Sequence, residues 1–178
     1  LTQTIIQHAQ YGVQLTGTGT VSLTNSTIEQ CSSSAVYVNN GSLTVSGSTL
    51  RANAGTSTIA LRIYLGADGV TVTGSRLEAT GTNYVVRLEG VTPTLVSITG
   101  SQLLAASPTS RTISTDYCLG SYGCTTISPD PTGQLVPFTN NWWGTADPVA
   151  ISAQIYDYAD STYRRPVIDF TPCLDGPT

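Results

Sequence analysis

Few side chains in this sequence could do acid–base chemistry together. Glu29 and Glu78 come closest, each standing one residue after an apolar position of a recurring motif. Paired carboxylates cleave glycosidic bonds when held roughly 5–10 Å apart. In a stack of strands these two lie two layers, or roughly 10 Å, apart, just beyond the range of an inverting pair. Arg51 occupies the equivalent position between them and is expected to neutralise both, so a surface ion-pair ladder is favoured over a catalytic dyad. His8 is the sole histidine and has no neighbouring Asp or Ser motif; a corner position near Cys31 in the stack is expected. Asp68, Asp116 and Asp130 fall in loops of different turns and form no acidic cluster. No catalytic residue is assigned, and no cofactor is implied.

The four cysteines are Cys31, Cys118, Cys124 and Cys173. No CxxC spacing occurs and companion histidines are lacking, so a disulfide is favoured over a metal site. Cys118 and Cys124 flank a short glycine-containing loop and are expected to bond to each other in an oxidising compartment. Cys31 and Cys173 lie near opposite ends of the stack, out of reach unless the tail runs back. The segment Leu65-Gly66-Ala67-Asp68-Gly69-Val70 has a faint likeness to calcium-binding solenoid repeats but occurs once, and is read as a plain turn. Asn25 and Asn40 stand in N-x-Ser/Thr acceptor patterns for glycosylation.

One further set could bind rather than react. Gln14, Tyr37, Arg62 and Arg87 each sit at the centre of an apolar–polar–apolar triplet. Stacked layers would set them one above another on the outside. Like charges at one strand spacing are mildly unfavourable unless an acid lies between them, and Glu89 or Asp68 could supply it. Otherwise Arg62 and Arg87 form an anion-binding strip, with Tyr37 and either Tyr64 or Tyr84 offering flat faces to a sugar ring. Its natural ligand is then an acidic polysaccharide, since guanidinium grips carboxylate in bidentate fashion.

The elements that position these residues are repeats. Val21-Ser22-Leu23-Thr24-Asn25-Ser26-Thr27-Ile28 recurs as 43–50, 70–77 and 96–103, with a weaker copy ending at Thr4-Ile5 and an aromatic-ended one at 136–143. Steps of 23, 22, 27, 26 and 40 residues separate the copies, counted at Ile5, Ile28, Leu50, Leu77, Leu103 and Trp143. The last step carries an insertion of roughly 15 residues. Alternation of apolar and Ser/Thr positions is the strand period, and Asn or Gly at the fifth position supplies a left-handed bend. A second short strand follows in each turn, at 13–15, 36–38, 61–63, 86–88 and 113–115. The pattern predicts an all-β chain, a right-handed parallel β-helix (β-solenoid) of about six turns, over 1–143 with an inserted loop at about 106–134. A sandwich would need hairpin signals, and Asn40-Gly41 is the single one.

Residues 144–178 read as a C-terminal cap. Asp147-Pro148 is a helix start, with Asp as N-cap and Pro in the first turn. A capping helix is expected over about 148–158, its apolar face carrying Val149, Ile151, Ala153, Ile155 and Tyr156 above Trp142 and Trp143, followed by a strand at about 167–170. The chain starts inside a repeat, so an earlier segment, or a second copy stacking end to end, is expected to cover the first turn.

The run Asn140-Asn141-Trp142-Trp143-Gly144, Asp147-Pro148, Ile155-Tyr156-Asp157 and Val167-Ile168-Asp169-Phe170-Thr171-Pro172 resembles the C-terminal signature of right-handed parallel β-helix proteins of the pectate-lyase-like superfamily. The resemblance implies the fold; the superfamily holds lyases, hydrolases and epimerases beside non-enzymatic adhesins and filament subunits. Hydrolysis in that superfamily would use Asn-Thr-Asp, Asp-Asp, His-Gly and Arg-Ile-Lys elements, and lyase action would use calcium-binding acids on neighbouring turns with an arginine base. None of these patterns stands in this sequence, and Lys is absent.

Composition agrees with a surface role. Net charge is −4 and only 10% of residues are charged, with no basic stripe, so nucleic acid is excluded as a partner. No apolar run is long enough to span a bilayer as a helix, so membrane insertion is not expected. The expectation is a non-catalytic, secreted structural or adhesive module of a cell surface, matrix or filament. A C-terminal fragment of a polysaccharide-active enzyme, or a carbohydrate-binding module, is the alternative.

Overall fold

The computed structural model shows the alternating segments as stacked parallel rungs. It describes residues 1–56, 58–81, 84–107, 110–116, 135–160 and 166–177. In chain order the strands are β1 (Ile5–Ile6), β2 (Tyr11–Leu15), β3 (Thr20–Thr24), β4 (Thr27–Ile28), β5 (Ser34–Ser46), β6 (Thr49–Ala52), β7 (Ile59–Thr73), β8 (Arg76–Ala79) and β9 (Val86–Glu89). After a 3-10 turn at Pro93–Leu95 come β10 (Val96–Thr99), β11 (Gln102–Ala105), β12 (Ile113–Asp116) and β13 (Leu135–Pro137). The helix α1 (Pro148–Ala153), β14 (Ile155–Tyr156) and β15 (Val167–Asp169) complete the order.

Three rows of in-register strands surround one core. The first is β1-β4-β6-β8-β11, which aligns Ile6, Ile28, Leu50, Leu77 and Leu103. The second is β2-β5-β7-β9-β12-β14, aligning Val13, Val36, Leu61, Val86, Ile113 and Ile155. In the third, β3, the later halves of β5 and β7, and β10 align Leu23, Val45, Val72 and Ile98. From Ile28, Val36 and Leu23 onward these columns are buried. The first column begins at Ile6 rather than the expected Ile5, which is 70% exposed. With a side-chain period of two, that one-residue shift exchanges inside for outside.

Two turns lack the expected gap between their strands. β5 and β7 run unbroken for 13 and 15 residues and bend at register shifts between Val38 and Asn40 and between Gly41 and Ser42. Gly41 (φ 77°) lies so close to the rung below that a Cβ there would meet the Gly19 carbonyl oxygen at 2.2 Å. Asn40-Gly41 is therefore a bend in a parallel strand, not a hairpin turn. The 65–70 segment, expected as a plain turn, is likewise part of β7.

Four turns separate Ile6 from Leu103, fewer than the six expected. The motif at 136–143 joins the first row through one isolated bridge, Gln102 to Trp142. Residues 117–134, with Cys118, Cys124 and Asp130, lie outside the described residues.

A buried polar column holds the rungs in phase. Backbone φ is left-handed at Asn25 (48°), Gly47 (56°), Gly74 (53°), Gly100 (60°) and Asn140 (55°), the fifth position of each motif. The next residue turns its N–H inward, where an unpaired donor would be costly. After the first four of these corners it is satisfied by the side chain one rung further on. Ser26 N–H donates to Ser48 Oγ (3.0 Å), Ser48 N–H to Ser75 Oγ (3.1 Å), Ser75 N–H to Ser101 Oγ (3.1 Å) and Ser101 N–H to Asn141 Oδ1 (2.8 Å). The hydroxyls of Ser48, Ser75 and Ser101 donate to the carbonyls of Ser46, Thr73 and Thr99, two residues back. Asn141 ends the column, its Nδ2 donating to the Ile98 (2.7 Å) and Phe138 (2.8 Å) carbonyls.

The C-terminal cap differs from its expectation. Asp147 does cap α1, accepting from Val149 N–H at 3.0 Å, but the helix ends at Ala153 rather than near 158. Sheet pairing is the reason: the Gln154 carbonyl accepts from Thr112 and Ile113 N–H, and Ile155 and Tyr156 then pair with β12. Ile151 is the buried residue of the helix, while Val149 is 78% exposed and Ala153 is exposed. Cover comes instead from β15, which pairs with β13 and places Phe170 edge-on to Trp143. The Asp157 carboxylate fastens this strand by accepting from Ile168 N–H (2.8 Å) and Ala159 N–H (2.9 Å). Burial pushes the Asp157 carboxyl above its ordinary range, partly offset by those two donors. No helix among the described residues is long and apolar enough to cross a membrane.

Two substitutions test this packing. Leu77→Asp places a charge between Leu50 and Leu103 and should cost more than about 4 kcal/mol in urea unfolding followed by circular dichroism. Ser75→Ala removes one oxygen but orphans the buried Ser48 N–H, and should cost about 1–3 kcal/mol. Ser22→Ala on the exposed face is the near-neutral comparison; equal losses for both serines would refute the polar column.

Candidate functional site

The outward face of the second row carries the charged and aromatic residues singled out above. Parallel pairing sets Gln14, Tyr37, Arg62, Arg87, Ser114 and Tyr156 in one column across six strands. Gln14 is exposed and Tyr37, Arg62 and Arg87 are half-buried because their neighbours point in, whereas Ser114 is fully buried. The alignment of Arg62 on Arg87 creates the like-charge problem anticipated from the sequence, and Glu89 answers it.

Glu89 belongs to β9, in register with Tyr64, and is only 4% exposed. Arg62 grips it with two nitrogens, Nε to Oε2 and Nη2 to Oε1, the latter at 3.0 Å. Arg87 Nη2 lies 3.2 Å from the same Oε1 and 3.0 Å from Asp116 Oδ2. Two guanidinium groups and two carboxylates thus form one continuous chain of alternating charge. Hydrogen bonding to Glu89 raises the Arg62 pKa still further above physiological pH. Asp68, the other candidate acid, is exposed in β7. Asp116 ends β12 and is not a loop residue.

Beside the arginines runs a row of rings. Tyr37 lies 5.8 Å from Tyr11 and 6.5 Å from Tyr64, centroid to centroid, and Arg62 sits 5.4 Å from the Tyr37 ring. Burial, partly opposed by Arg62, pushes the Tyr37 phenol above its usual pKa. Tyr84, two residues ahead of β9, makes no ring contact with the row among the described residues. Sequence reasoning missed Tyr11, because it faces Ser34 in register and reaches Tyr37 diagonally. It also missed Tyr156, assigned to a helix, whose ring carries the Arg111 guanidinium 3.6 Å from its centroid.

The first row presents a second ladder. Gln7 Nε2 donates to Glu29 Oε1 (2.6 Å), Arg51 bridges Glu29 (3.4 Å) and Glu78 (3.2 Å), and Arg76 reaches Glu78 (2.9 Å) and Gln102 (3.4 Å). His8 is exposed at a left-handed corner (φ 59°), the place that Gln30 (φ 55°) takes one rung on. Cys31 is a buried free thiol whose pKa is raised by burial, and Cys173 is free and half-buried. Asn25 is exposed, whereas Asn40 Nδ2 is engaged with the Thr16 carbonyl at 3.1 Å. Among the described residues no three His, Cys, Asp or Glu side chains converge as a metal site would require. A cavity of about 370 Å³ lies near the C-terminal end, lined by Leu104, Trp143, Ala150 and Gln154, with no member of either ladder in its wall.

The two ladders should differ in energetic weight. Glu89→Ala leaves Arg62 without its carboxylate in a largely buried setting and should cost about 2–4 kcal/mol. Glu29→Ala on the more exposed ladder should cost less than about 1 kcal/mol. Urea unfolding of both variants is the measurement, and a reversed order would refute the assignment.

The family model described as right handed beta helix region matches residues 1–98, more than half of the chain. Searches of curated proteins and of solved structures returned no match. The matched residues include the first four copies of the motif and all of β1 to β10 except its last residue, Thr99. With its parallel rungs and in-register columns, the chain belongs to the right-handed β-helix family.

Proposed function

We propose that this chain is a non-catalytic, secreted structural or adhesive β-helix module of a cell surface, matrix or filament. One observation carries the reading: the carboxylates of both ladders are engaged between rungs. Glu29 and Glu78 share Arg51, Glu89 holds Arg62 and Arg87, and Asp116 holds Arg87. A general base or a calcium ligand must keep an oxygen for substrate or cation. Here each of the four carboxylates already holds an arginine through at least one oxygen, and the pairs stitch one rung to the next.

The C-terminal residues support a finer reading, membership of the pectate-lyase-like superfamily. Asn141 ends the serine column, Trp143 fills the core beside Phe138, and Asp147 starts the helix. Each of these signature residues serves the fold, independent of any chemistry. Secretion is supported by the exposed acceptor site at Asn25. Partners of such a module are a polysaccharide or a second copy stacked end to end.

Incubation with a panel of neutral and uronate polysaccharides, with and without calcium, tests the proposal. No new reducing or unsaturated chain ends should form across the pH range in which the fold persists. Turnover that disappears in Glu29→Gln or Glu78→Gln would overturn the reading in favour of a fragment of a polysaccharide-active enzyme.

A further inference from the structure

The sequence suggested an acidic polymer as ligand for the arginine column, but the geometry points to a different class. We propose that Tyr11, Tyr37 and Tyr64 form a binding strip for a neutral polysaccharide lying along the stack. The inference rests on the adhesive part of the functional reading and gives it a site and a ligand chemistry.

Charge decides against an anion. Arg62 and Arg87 contribute two positive charges, and Glu89 and Asp116 two negative ones, linked in series by ion pairs from Arg62 through Glu89 and Arg87 to Asp116. An incoming uronate would have to displace Glu89, an intramolecular carboxylate already gripped by two nitrogens of Arg62. A polymer without charge meets no such competition.

Shape decides for a sugar chain. The three rings stand on β2, β5 and β7, three successive rungs about 4.8 Å apart, so the row advances along the axis. All three are half-buried: one part of each ring is held by the sheet and the rest is open. Such rings are rigid platforms that lose little entropy on binding. The C–H face of a pyranose packs on a ring in this way, while its equatorial hydroxyls need planar donors and acceptors at the edge. The exposed Gln14 amide, in register with Tyr37, is such a group, while the Arg62 guanidinium lies over the Tyr37 ring, 5.4 Å from its centroid, and holds it in place.

Affinity electrophoresis tests this with soluble β-1,3-glucan, xyloglucan and galactomannan as neutral probes and polygalacturonate as the acidic one, at low and high salt. At least one neutral polymer should retard the protein, with little dependence on salt. Tyr37→Ala and Tyr64→Ala should each weaken that binding at least about tenfold, while Tyr37→Phe keeps it and circular dichroism of all three stays native. Retardation by polygalacturonate alone, lost at high salt and in the Arg62→Ala, Arg87→Ala double variant, would overturn the neutral ligand. Neutral binding that survives both tyrosine truncations would overturn the site but leave the adhesive reading standing. Failure of every probe would overturn the strip; the structural reading answers separately to the turnover assay.

Discussion

A chain that coils into stacked rungs must bend at every corner, and at one corner of this chain the bend turns a backbone N–H toward the core. The serine column is the answer to that constraint in this protein. Left-handed residues from Asn25 to Asn140 make the bend, and the Ser that follows takes the N–H of the rung below on its hydroxyl. The arrangement works only if successive rungs stay in phase, because a hydroxyl displaced by one residue leaves two buried groups unpaired. The apolar columns of Leu50 and Val36 inherit their alignment from the same corner. Turn lengths of 22, 27 and 26 residues can therefore differ without disturbing the stack, since the surplus is absorbed at the other corners.

The outside obeys the same stacking rule under different chemistry. Any side chain on the outward face meets its equivalents one rung away, so like charges cannot follow one another unrelieved. The first row alternates sign through Glu29, Arg51 and Glu78. The second row carries two arginines in succession, and relief comes from Glu89, two residues along β9 and nearly buried between them. That burial makes the second ladder more than a surface decoration: Glu89 ties β7 to β9, and Arg87 extends the tie to Asp116 in β12.

The core columns repeat the same few residue types, whereas the outward position of each rung is free to vary so long as neighbours tolerate each other. Tyr37, Arg62, Arg87, Ser114 and Tyr156 show the variety that one column can hold. A parallel solenoid turns such a column into a straight line of groups at a fixed spacing, a geometry suited to an extended polymer. The charge pairs spend the arginines on the protein itself, which leaves the rings as the open part of the line.

Much of this was legible in the residues. Period-two alternation, the recurring Gly/Asn-Ser pair and the Asp147-Pro148 start were enough to determine a parallel solenoid, its core columns and the position of its helix start. They were also enough to stack Tyr37, Arg62 and Arg87, because register follows directly from equivalent motif positions. The sequence alone could not decide Ile5 against Ile6, since two adjacent isoleucines satisfy the same pattern and only pairing with Thr27 and Ile28 separates them. Nor could it end α1 at Ala153, because an apolar face continues through Tyr156 and the exposed edge of β12 wins those residues for the sheet. Tyr11 joined Tyr37 only in space, by a diagonal reach across strands. The sequence offered Glu89 or Asp68 as the acid between the arginines; the choice of Glu89 and the addition of Asp116 depend on where flexible side chains meet across rungs, a property of the assembled stack.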